Sequence, residues 1–192
     1  MIKEQYFPTN IYGKDIKIDN NKLSEDIIKW SKQDSGLKKT NVNGWHSTTD
    51  MATKEEYKIL VDEILTASKE VFKEEFLERK PIIGNMWANI NPPGATNTAH
   101  IHPNAHFSGV YYVNTDSKSG PLKIMDPRPG VQMVMPIRQK EELPKHLWRD
   151  AFLDPFIGRI LMFPAWLWHS VETNESDKLR ISVSFNIVQE GF

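Results

Sequence analysis

The sequence predicts an α+β fold, in which N-terminal helices pack on one sheet of a β-sandwich, jelly roll or barrel. The first 80 residues carry apolar side chains at helical spacing, whereas the remainder carries short β-type runs between Pro, Gly, Asn and Asp. A chain of 192 residues suits one hydrophobic core. We therefore expect a single domain over 1–192, with a helical support in 1–80 and a β core in 81–192.

Two helices are expected in the N-terminal part. Ser24–Gln33 has the pattern of a short helix. Thr53-Lys54-Glu55-Glu56 matches a capping box, which predicts that a longer helix begins there. Its apolar positions recur at helical spacing, at Tyr57, Leu60, Val61, Ile64, Leu65, Val71, Phe72 and Phe76. The charged opposite face indicates a helix lying on an apolar surface.

The C-terminal part predicts short strands. These are Met86–Asn91, Ser108–Asn114, Pro121–Met125, Val131–Met135, Arg159–Phe163 and Arg180–Val188. The charged segment Pro136–Pro155 is expected to form a long loop, of the kind that often covers or lines a binding site.

Composition excludes several classes of protein. The chain has no cysteine, so disulfides, thiolate metal sites and cysteine nucleophiles are excluded. A net charge of -1 gives no bulk attraction to nucleic acid. The N-terminus lacks the apolar run of a signal peptide, and no uncharged stretch is long enough to span a membrane. We therefore expect a cytoplasmic protein.

The histidines suggest a metal site. His100 and His102 are two residues apart, and in an extended strand such residues point to the same side. Two imidazoles can then reach one ion, and imidazole suits iron, zinc, copper and nickel. His169 is the natural third ligand, since it follows an apolar run in which 163–168 would shield it from water.

The order of motifs resembles the 2-oxoglutarate- and Fe(II)-dependent oxygenase superfamily, and in particular a small branch found in bacteria and bacteriophages. The matching motifs are Gly44-Trp45-His46-Ser47, His100-Ile101-His102-Pro103, Ser108-Gly109-Val110-Tyr111-Tyr112, Asp126-Pro127-Arg128, Phe163-Pro164 before His169, and Arg180-Ile181-Ser182-Val183-Ser184-Phe185-Asn186. The resemblance implies a double-stranded β-helix (jelly roll). It also implies an enzyme that uses Fe(II), 2-oxoglutarate and dioxygen to hydroxylate a substrate, with release of succinate and CO2.

One position departs from the family pattern. The usual iron site has two histidines and a carboxylate, but His102 stands where the carboxylate is expected. Either His100, His102 and His169 all bind the metal, or a carboxylate such as Asp126 completes the set, or the site performs altered chemistry. The spacing of the first two histidines favours the three-histidine site.

Arg180 is the predicted partner of the far carboxylate of 2-oxoglutarate, because a guanidinium forms two parallel hydrogen bonds with a carboxylate. Alternation along its strand groups Arg180 with Ser182, Ser184 and Asn186 on one polar face. Ser182, Tyr112 and Asn89 are expected to line the same pocket.

The residues His106, Asp126, Arg128 and Asn186 are candidates for roles around this site. The substrate is expected to be a small molecule or a peptide, and the apolar helical part could supply a homodimer face. Three alternative functions are a cupin-like three-histidine dioxygenase that does not use 2-oxoglutarate, a non-catalytic metal-binding β-sandwich module, and a zinc hydrolase.

Overall fold

Two antiparallel sheets form the body of the protein. The computed structural model describes residues 1–130, 133, 136–138 and 142–192. Its strands are β1 (Tyr12–Asp15), β2 (Asn41–Val42), β3 (Trp45–His46), β4 (Pro81–Asn91), β5 (Thr96–His100), β6 (Phe107–Asn114), β7 (Leu122–Met125), β8 (Asp150–Leu153), β9 (Arg159–Pro164), β10 (His169–Val171) and β11 (Arg180–Gln189). The major sheet has the order β1-β9-β6-β11-β4-β3 and the minor sheet the order β2-β5-β10-β7-β8. Strands from the first 80 residues therefore join both sheets.

Two α-helices cover one face of the major sheet. They are α1 (Asn20–Ser31) and α2 (Lys58–Glu74). Helix α1 starts earlier than predicted because the Asp19 side chain accepts a hydrogen bond from the backbone N–H of Lys22 (3.0 Å) and caps the helix. Ile27 of α1 and Ile64 of α2 are fully buried in one apolar cluster with residues of β4, β6, β9 and β11. Within the described residues, no helix is long and apolar enough to cross a membrane.

The prediction that a capping box at Thr53 starts the second helix is wrong. Thr53 ends a short 3-10 turn, and its hydroxyl donates to the Asp50 carbonyl rather than to a backbone N–H ahead of it. Lys54 is extended, which interrupts the helical path. A second 3-10 turn, Glu55–Tyr57, precedes α2.

Most of the predicted strands are present, and one or both ends of each lie within two residues of the predicted position. The prediction at Met86–Asn91 gave only half of β4, which begins at Pro81. The predicted strand Val131–Met135 lies almost entirely outside the described residues. The predicted long loop contains β8, which pairs with β7, so this part of the prediction is wrong. Strand β8 does not alternate clearly between buried and exposed residues, because its large apolar residue Phe152 is exposed and the other three residues are partly buried.

Strand β11 divides the major sheet into an apolar and a polar face. Ile181, Val183 and Phe185 are fully buried on the face that the helices cover. Arg180 and Ser182, which alternate with them, face a cavity between the two sheets, as do Ser184 and Asn186. A second apolar cluster, which includes Val110, Leu122, Leu161 and Phe163, also lies on this inner side. The polar site is thus enclosed between two packed layers.

We expect Gly109→Ala to destabilise the protein by about 1–3 kcal/mol, the usual cost of overpacking a core. An added Cβ at Gly109 in β6 would lie 2.3 Å from Phe185 Cζ and 2.8 Å from the backbone oxygen of Leu161. Urea unfolding measures the change. The matched control is Gly13→Ala on edge strand β1, where the Cβ makes only a 3.6 Å contact with Leu161. Equal stability of the two variants would contradict the packing described.

Candidate metal and co-substrate site

A central cavity of about 520 Å³ lies between the sheets. Its volume is within the range of about 300–1,000 Å³ that is typical of small-molecule sites. The lining residues are Lys39, Thr40, His46, Thr49, Asn85, Trp87, Asn89, Asn97, His100, Ile101, His102, Pro103, Ser108, Gly109, Val110, Leu122, Phe163, His169, Val171, Arg180, Ser182, Ser184 and Asn186. Among the described residues, no aspartate or glutamate lines the cavity.

Three histidines converge at one point of this cavity. His100 on β5 is the direct register partner of His169 on β10, and His102 follows two residues after the first. One nitrogen from each ring lies within 4.8 Å of the other two. The Nε2 atoms of His102 and His169 are 3.2 Å apart. Two nitrogens about 2.1 Å from one ion, at an angle of about 90–110°, lie roughly 3.0–3.4 Å apart, so this spacing fits metal ligation.

Backbone carbonyls orient two of the rings. The Nδ1–H of His100 donates to the Thr98 carbonyl (2.7 Å), and the Nδ1–H of His169 donates to the Leu167 carbonyl (2.8 Å). A carbonyl oxygen can only accept, so the proton lies on Nδ1 and the Nε2 lone pair is left for a metal. This arrangement is common among metal-binding histidines.

Asn186 and Trp87 hold the third ring. The Asn186 amide nitrogen lies 3.4 Å from Nδ1 of His102, and the Trp87 ring centroid lies 5.7 Å from that of His102. Asn186 is itself fixed, since its Oδ1 accepts from the Ser108 hydroxyl (2.7 Å) and its Nδ2 donates to Asn85 (2.8 Å). Asn186 therefore lies directly behind His102.

All three histidines are held neutral. Burial, and then the charges of His169 and His100, lowers the pKa of His102 to about 3. Burial and the charge of His100 lower the pKa of His169 to about 4, against the opposing hydrogen bond to Leu167. Burial also lowers the pKa of His100. A metal requires neutral imidazoles, so the cluster is ready to bind at neutral pH without releasing protons from imidazolium groups.

A buried cation lies elsewhere on the same cavity wall. The guanidinium of Arg180 is 1% exposed, and it donates only from Nη1 to the Ser182 hydroxyl (3.0 Å). Nε and Nη2 of Arg180 have no hydrogen-bond partner among the described residues, nor has the nearby Tyr112 hydroxyl. Burial lowers the pKa of Arg180 and raises that of Tyr112. Arg180 lies over the Tyr112 ring, with Cζ 5.3 Å from the centroid.

Of the other predicted residues, Asn89 lines the cavity and donates to the Ser184 hydroxyl (3.1 Å). Asp126 forms an ion pair with Arg128 (2.6 Å) and accepts from its backbone N–H, so this carboxylate serves a turn. Among the described residues, the three-histidine cluster includes neither Asp126 nor any other carboxylate. His106 packs on Phe192 (4.5 Å between centroids) and does not line the cavity.

The sequence-based reasoning missed several lining residues. His46 is stacked on Trp87 with centroids 5.3 Å apart, and both line the cavity. Trp87 shares a strand face with Asn89, so alternation along β4 was a usable signal. Lys39 and Thr40 precede the two-residue strand β2 and offer no such pattern.

The shielding of His169 also differs from expectation. The side chains of Trp166 and Trp168 are 55% and 49% exposed, so they do not shield this ligand. Phe163 does, since its ring contacts His169 edge-on at 4.7 Å between centroids, and Leu167 is fully buried.

This combination of a double-stranded β-helix with a buried three-histidine cluster and a buried arginine defines a class of metal-dependent oxygenase. A family model described as "Putative 2OG-Fe(II) oxygenase" matches residues 85–186, more than half of the chain. The chain belongs to this 2-oxoglutarate- and Fe(II)-dependent oxygenase family. The predictions of the family, of an enzyme and of its two cofactors are confirmed at this level. No curated protein matches the sequence.

Solved structures share the fold at low sequence identity. A Pseudomonas putida prolyl-4-hydroxylase is 14% identical, covers 95% of this chain and 94% of its own, and has a TM-score of 0.66. The 2-oxoglutarate-dependent epimerase SnoN from nogalamycin biosynthesis is 10% identical, with coverages of 94% and 77% and a TM-score of 0.69. HygX from Streptomyces hygroscopicus is 9% identical, with coverages of 96% and 84% and a TM-score of 0.64; its structure contains nickel and 2-oxoglutarate. These similarities confirm the predicted double-stranded β-helix.

The metal-free protein should lose stability as the pH falls from about 7 to about 5. An unfolded histidine has a pKa of about 6.5, whereas folded His102 has a pKa of about 3. Below pH 6.5 the unfolded chain therefore binds protons that the folded chain does not, and the free energy of unfolding falls. Urea unfolding at a series of pH values, in the presence of a chelator, measures the slope of the free energy of unfolding against pH. The slope should be shallower in His102→Gln than in the wild type. Equal slopes in the wild type and His102→Gln would contradict the neutral cluster.

Proposed function

We propose that the chain is a 2-oxoglutarate- and Fe(II)-dependent dioxygenase that hydroxylates a small-molecule or peptide substrate and releases succinate and CO2. The whole of 1–192 acts as one domain in this proposal. The observation that carries it is the buried guanidinium of Arg180, which has two unpartnered nitrogens on the cavity that holds the histidine cluster. A buried, incompletely paired cation costs folding free energy. A carboxylate ligand would relieve that cost.

His100, His102 and His169 would hold the iron. This is the first of the three alternatives raised by the sequence. The nitrogen spacing supports it, as does the lack of a carboxylate in the cluster among the described residues. Three neutral ligands leave the bound ion with one more positive charge than two histidines and a carboxylate would. The carboxylate at the reactive end of the co-substrate can offset this charge, which favours binding of 2-oxoglutarate beside the metal.

Arg180, Ser182 and Tyr112 would bind the far carboxylate of 2-oxoglutarate. Arg180 has donors left on Nε and Nη2, the fork that a carboxylate accepts in parallel. The Ser182 oxygen accepts from Arg180, so its own proton is free to donate. The Tyr112 hydroxyl is buried and protonated; Arg180 lies close to it, and among the described residues no group accepts its proton. Asn89 would line the pocket between this carboxylate site and the metal.

When bound, Fe(II) and 2-oxoglutarate supply the oxidation: dioxygen is split, one oxygen atom enters succinate, and the other is inserted into a C–H bond of the substrate. The protein orients the imidazoles through the Thr98 and Leu167 carbonyls. Phe163 and Leu122 exclude water from one side of the cluster. Arg180 fixes the far end of the co-substrate, which orients its reactive end toward the cluster.

The alternative functions lack comparable support. A zinc hydrolase needs a general base, and no carboxylate occurs among the described residues that line the cavity. A cupin-like enzyme without 2-oxoglutarate has no use for a buried arginine with free donors. A purely structural module would gain nothing from three buried histidines with lowered pKa values or from this buried arginine, since each of them costs stability.

The solved neighbours leave the substrate class open. SnoN has been crystallised with nogalamycin RO, and a Trichoplax adhaerens prolyl hydroxylase with a peptide fragment. A small molecule and a peptide are therefore both compatible with this fold. The homodimer suggested by the sequence stays a prediction.

Loss of any one cluster histidine should weaken metal binding. Calorimetric titration of Fe(II) under anaerobic conditions measures it for His100→Ala, His102→Ala and His169→Ala. Each variant should lose at least about tenfold in affinity, since even outer-sphere changes typically cost 10–100-fold. His106→Ala, outside the cluster, should bind as the wild type does. Full affinity in His102→Ala would exclude the three-histidine site.

Arg180→Met should lower the affinity for 2-oxoglutarate by roughly 10–100-fold, because a charged hydrogen bond contributes about 1.5–3 kcal/mol. The measurement is the visible charge-transfer band of the anaerobic Fe(II) protein during titration with 2-oxoglutarate. Iron affinity itself should not change. Arg159→Met is the matched control, because Arg159 pairs with Asp15 at 2.7 Å and does not line the cavity. Absence of the band in the iron-loaded wild type would refute the use of 2-oxoglutarate.

A further inference from the structure

We propose that the substrate carries an anionic group, a carboxylate or a phosphate, which Lys39 and Thr40 bind at the rim of the central cavity. This inference rests on the proposed function, because it assigns the co-substrate to Arg180 and asks what the remaining cation binds. It names a chemical class of substrate and two residues of the chain that select for it.

The charges on the cavity wall are of one sign. Among the described lining residues the only formally charged side chains are Lys39 and Arg180, and no carboxylate balances either. Arg180 is buried, whereas Lys39 is exposed, so the two cations mark the inside and the outside of the same cavity. Lys39 has no ion-pair partner within the described part of the chain. One cation is therefore left over after the co-substrate is bound.

The segment that carries Lys39 is tied to the metal-bearing strand. The backbone N–H of Lys39 donates to the side-chain Oδ1 of Asn41 (2.8 Å). The carbonyl of Thr40 accepts from the Thr98 backbone N–H (2.9 Å), two residues before His100 on β5. These bonds fix the backbone from which the ammonium group extends, so that a ligand held there lies in constant relation to the histidine cluster.

Thr40, the next residue along the chain, supplies a second donor on the wall of the same cavity. Its hydroxyl oxygen accepts from the Asn97 amide (3.4 Å), and the hydroxyl proton is then free to donate toward a ligand. Asn97 is itself oriented, since its Oδ1 accepts from the Asn91 amide (3.0 Å). An ammonium group and a hydroxyl donor on one cavity wall are well suited to an anionic oxygen, because hydrogen bonds to a charged acceptor are shorter and stronger than neutral ones.

The three-histidine cluster strengthens the preference for an anionic substrate. Three neutral imidazoles leave the charge of a divalent ion without the offset that a ligand carboxylate gives. With a bound 2-oxoglutarate dianion opposing Fe(II) and Arg180, the cavity keeps one positive charge, and Lys39 adds a second. In a partly enclosed site such a field favours an anionic substrate and disfavours a cationic one. The stacked pair of His46 and Trp87 offers an apolar wall for the uncharged part of the substrate.

The test uses matched acidic and neutral probes on the Zn(II)- and 2-oxoglutarate-loaded protein, followed by saturation-transfer NMR at low ionic strength. The carboxylate pair is N-acetylglycine and N-acetylglycinamide, and the phosphate pair is glycerol 3-phosphate and glycerol. The variants are Lys39→Gln, Lys39→Arg and, as the matched control, Lys38→Gln, since Lys38 is exposed and does not line the cavity.

We expect one or both acidic probes to bind and their neutral partners not to bind. Lys39→Gln should weaken the acidic probe on the order of tenfold, while Lys39→Arg and Lys38→Gln bind as the wild type does. Whichever acid binds more tightly identifies the carboxylate or the phosphate as the group recognised. Equal binding of acidic and neutral partners, no binding of either acid, or equal affinity in Lys39→Gln and Lys38→Gln overturns the proposal.

The thermal shift caused by 2-oxoglutarate, measured on the same samples, separates this inference from the proposed function. It should survive in Lys39→Gln and be lost in Arg180→Met. If 2-oxoglutarate gives no shift while Lys39-dependent binding of an acid persists, the proposed function fails and the anion site stands. If 2-oxoglutarate gives its shift and the probes do not discriminate, only the anion site fails.

Discussion

The register of β11 in the middle of the major sheet is the constraint on which the rest of the structure depends. It pairs with β4 on one side and β6 on the other. Its apolar residues face the helices, and Arg180 and Ser182 face the cavity. A slip of one residue would exchange the two sets, placing a guanidinium among buried isoleucines and an isoleucine in the cavity. Folding and the proposed binding of 2-oxoglutarate by Arg180 thus depend on the same alternation.

The minor sheet adds the three-histidine cluster to this framework. The antiparallel pairing of β5 and β10 sets His100 opposite His169, and the chain then brings His102 to the same point. Because backbone carbonyls orient two rings and Asn186 lies behind the third, the cluster is formed before any ion binds. Burial keeps all three rings neutral. Preorganisation of this kind removes the cost of assembling ligands during binding.

The sequence predicted the parts of this site that follow from strand periodicity. The polar face that begins at Arg180 is a consequence of alternation along β11 and was readable. The spacing of His100 and His102 also predicted that the two rings converge, although His102 lies two residues beyond the end of β5. Strands β5 and β10 were not readable, because they are short and polar and are defined by their neighbours rather than by their own residues. The exposure of Trp166, which lies between β9 and β10, was not foreseen either. Lys39 reaches the cavity through hydrogen bonds between distant segments, which no local pattern records.

The cavity is electrostatically incomplete on its own. The described part of the chain places a buried guanidinium, a buried tyrosine hydroxyl without an acceptor and a histidine cluster without a carboxylate around one space, and none of its residues lining that space carries a negative charge. Such an arrangement is costly in the free protein, since buried donors without acceptors lose their hydration. The cost is recovered only when anions enter, so affinity for acidic ligands and loss of stability have the same origin. In the proposed three-histidine site, His102 would extend this principle to the metal: the charge balance that a protein carboxylate normally provides would have to come from the molecules that bind.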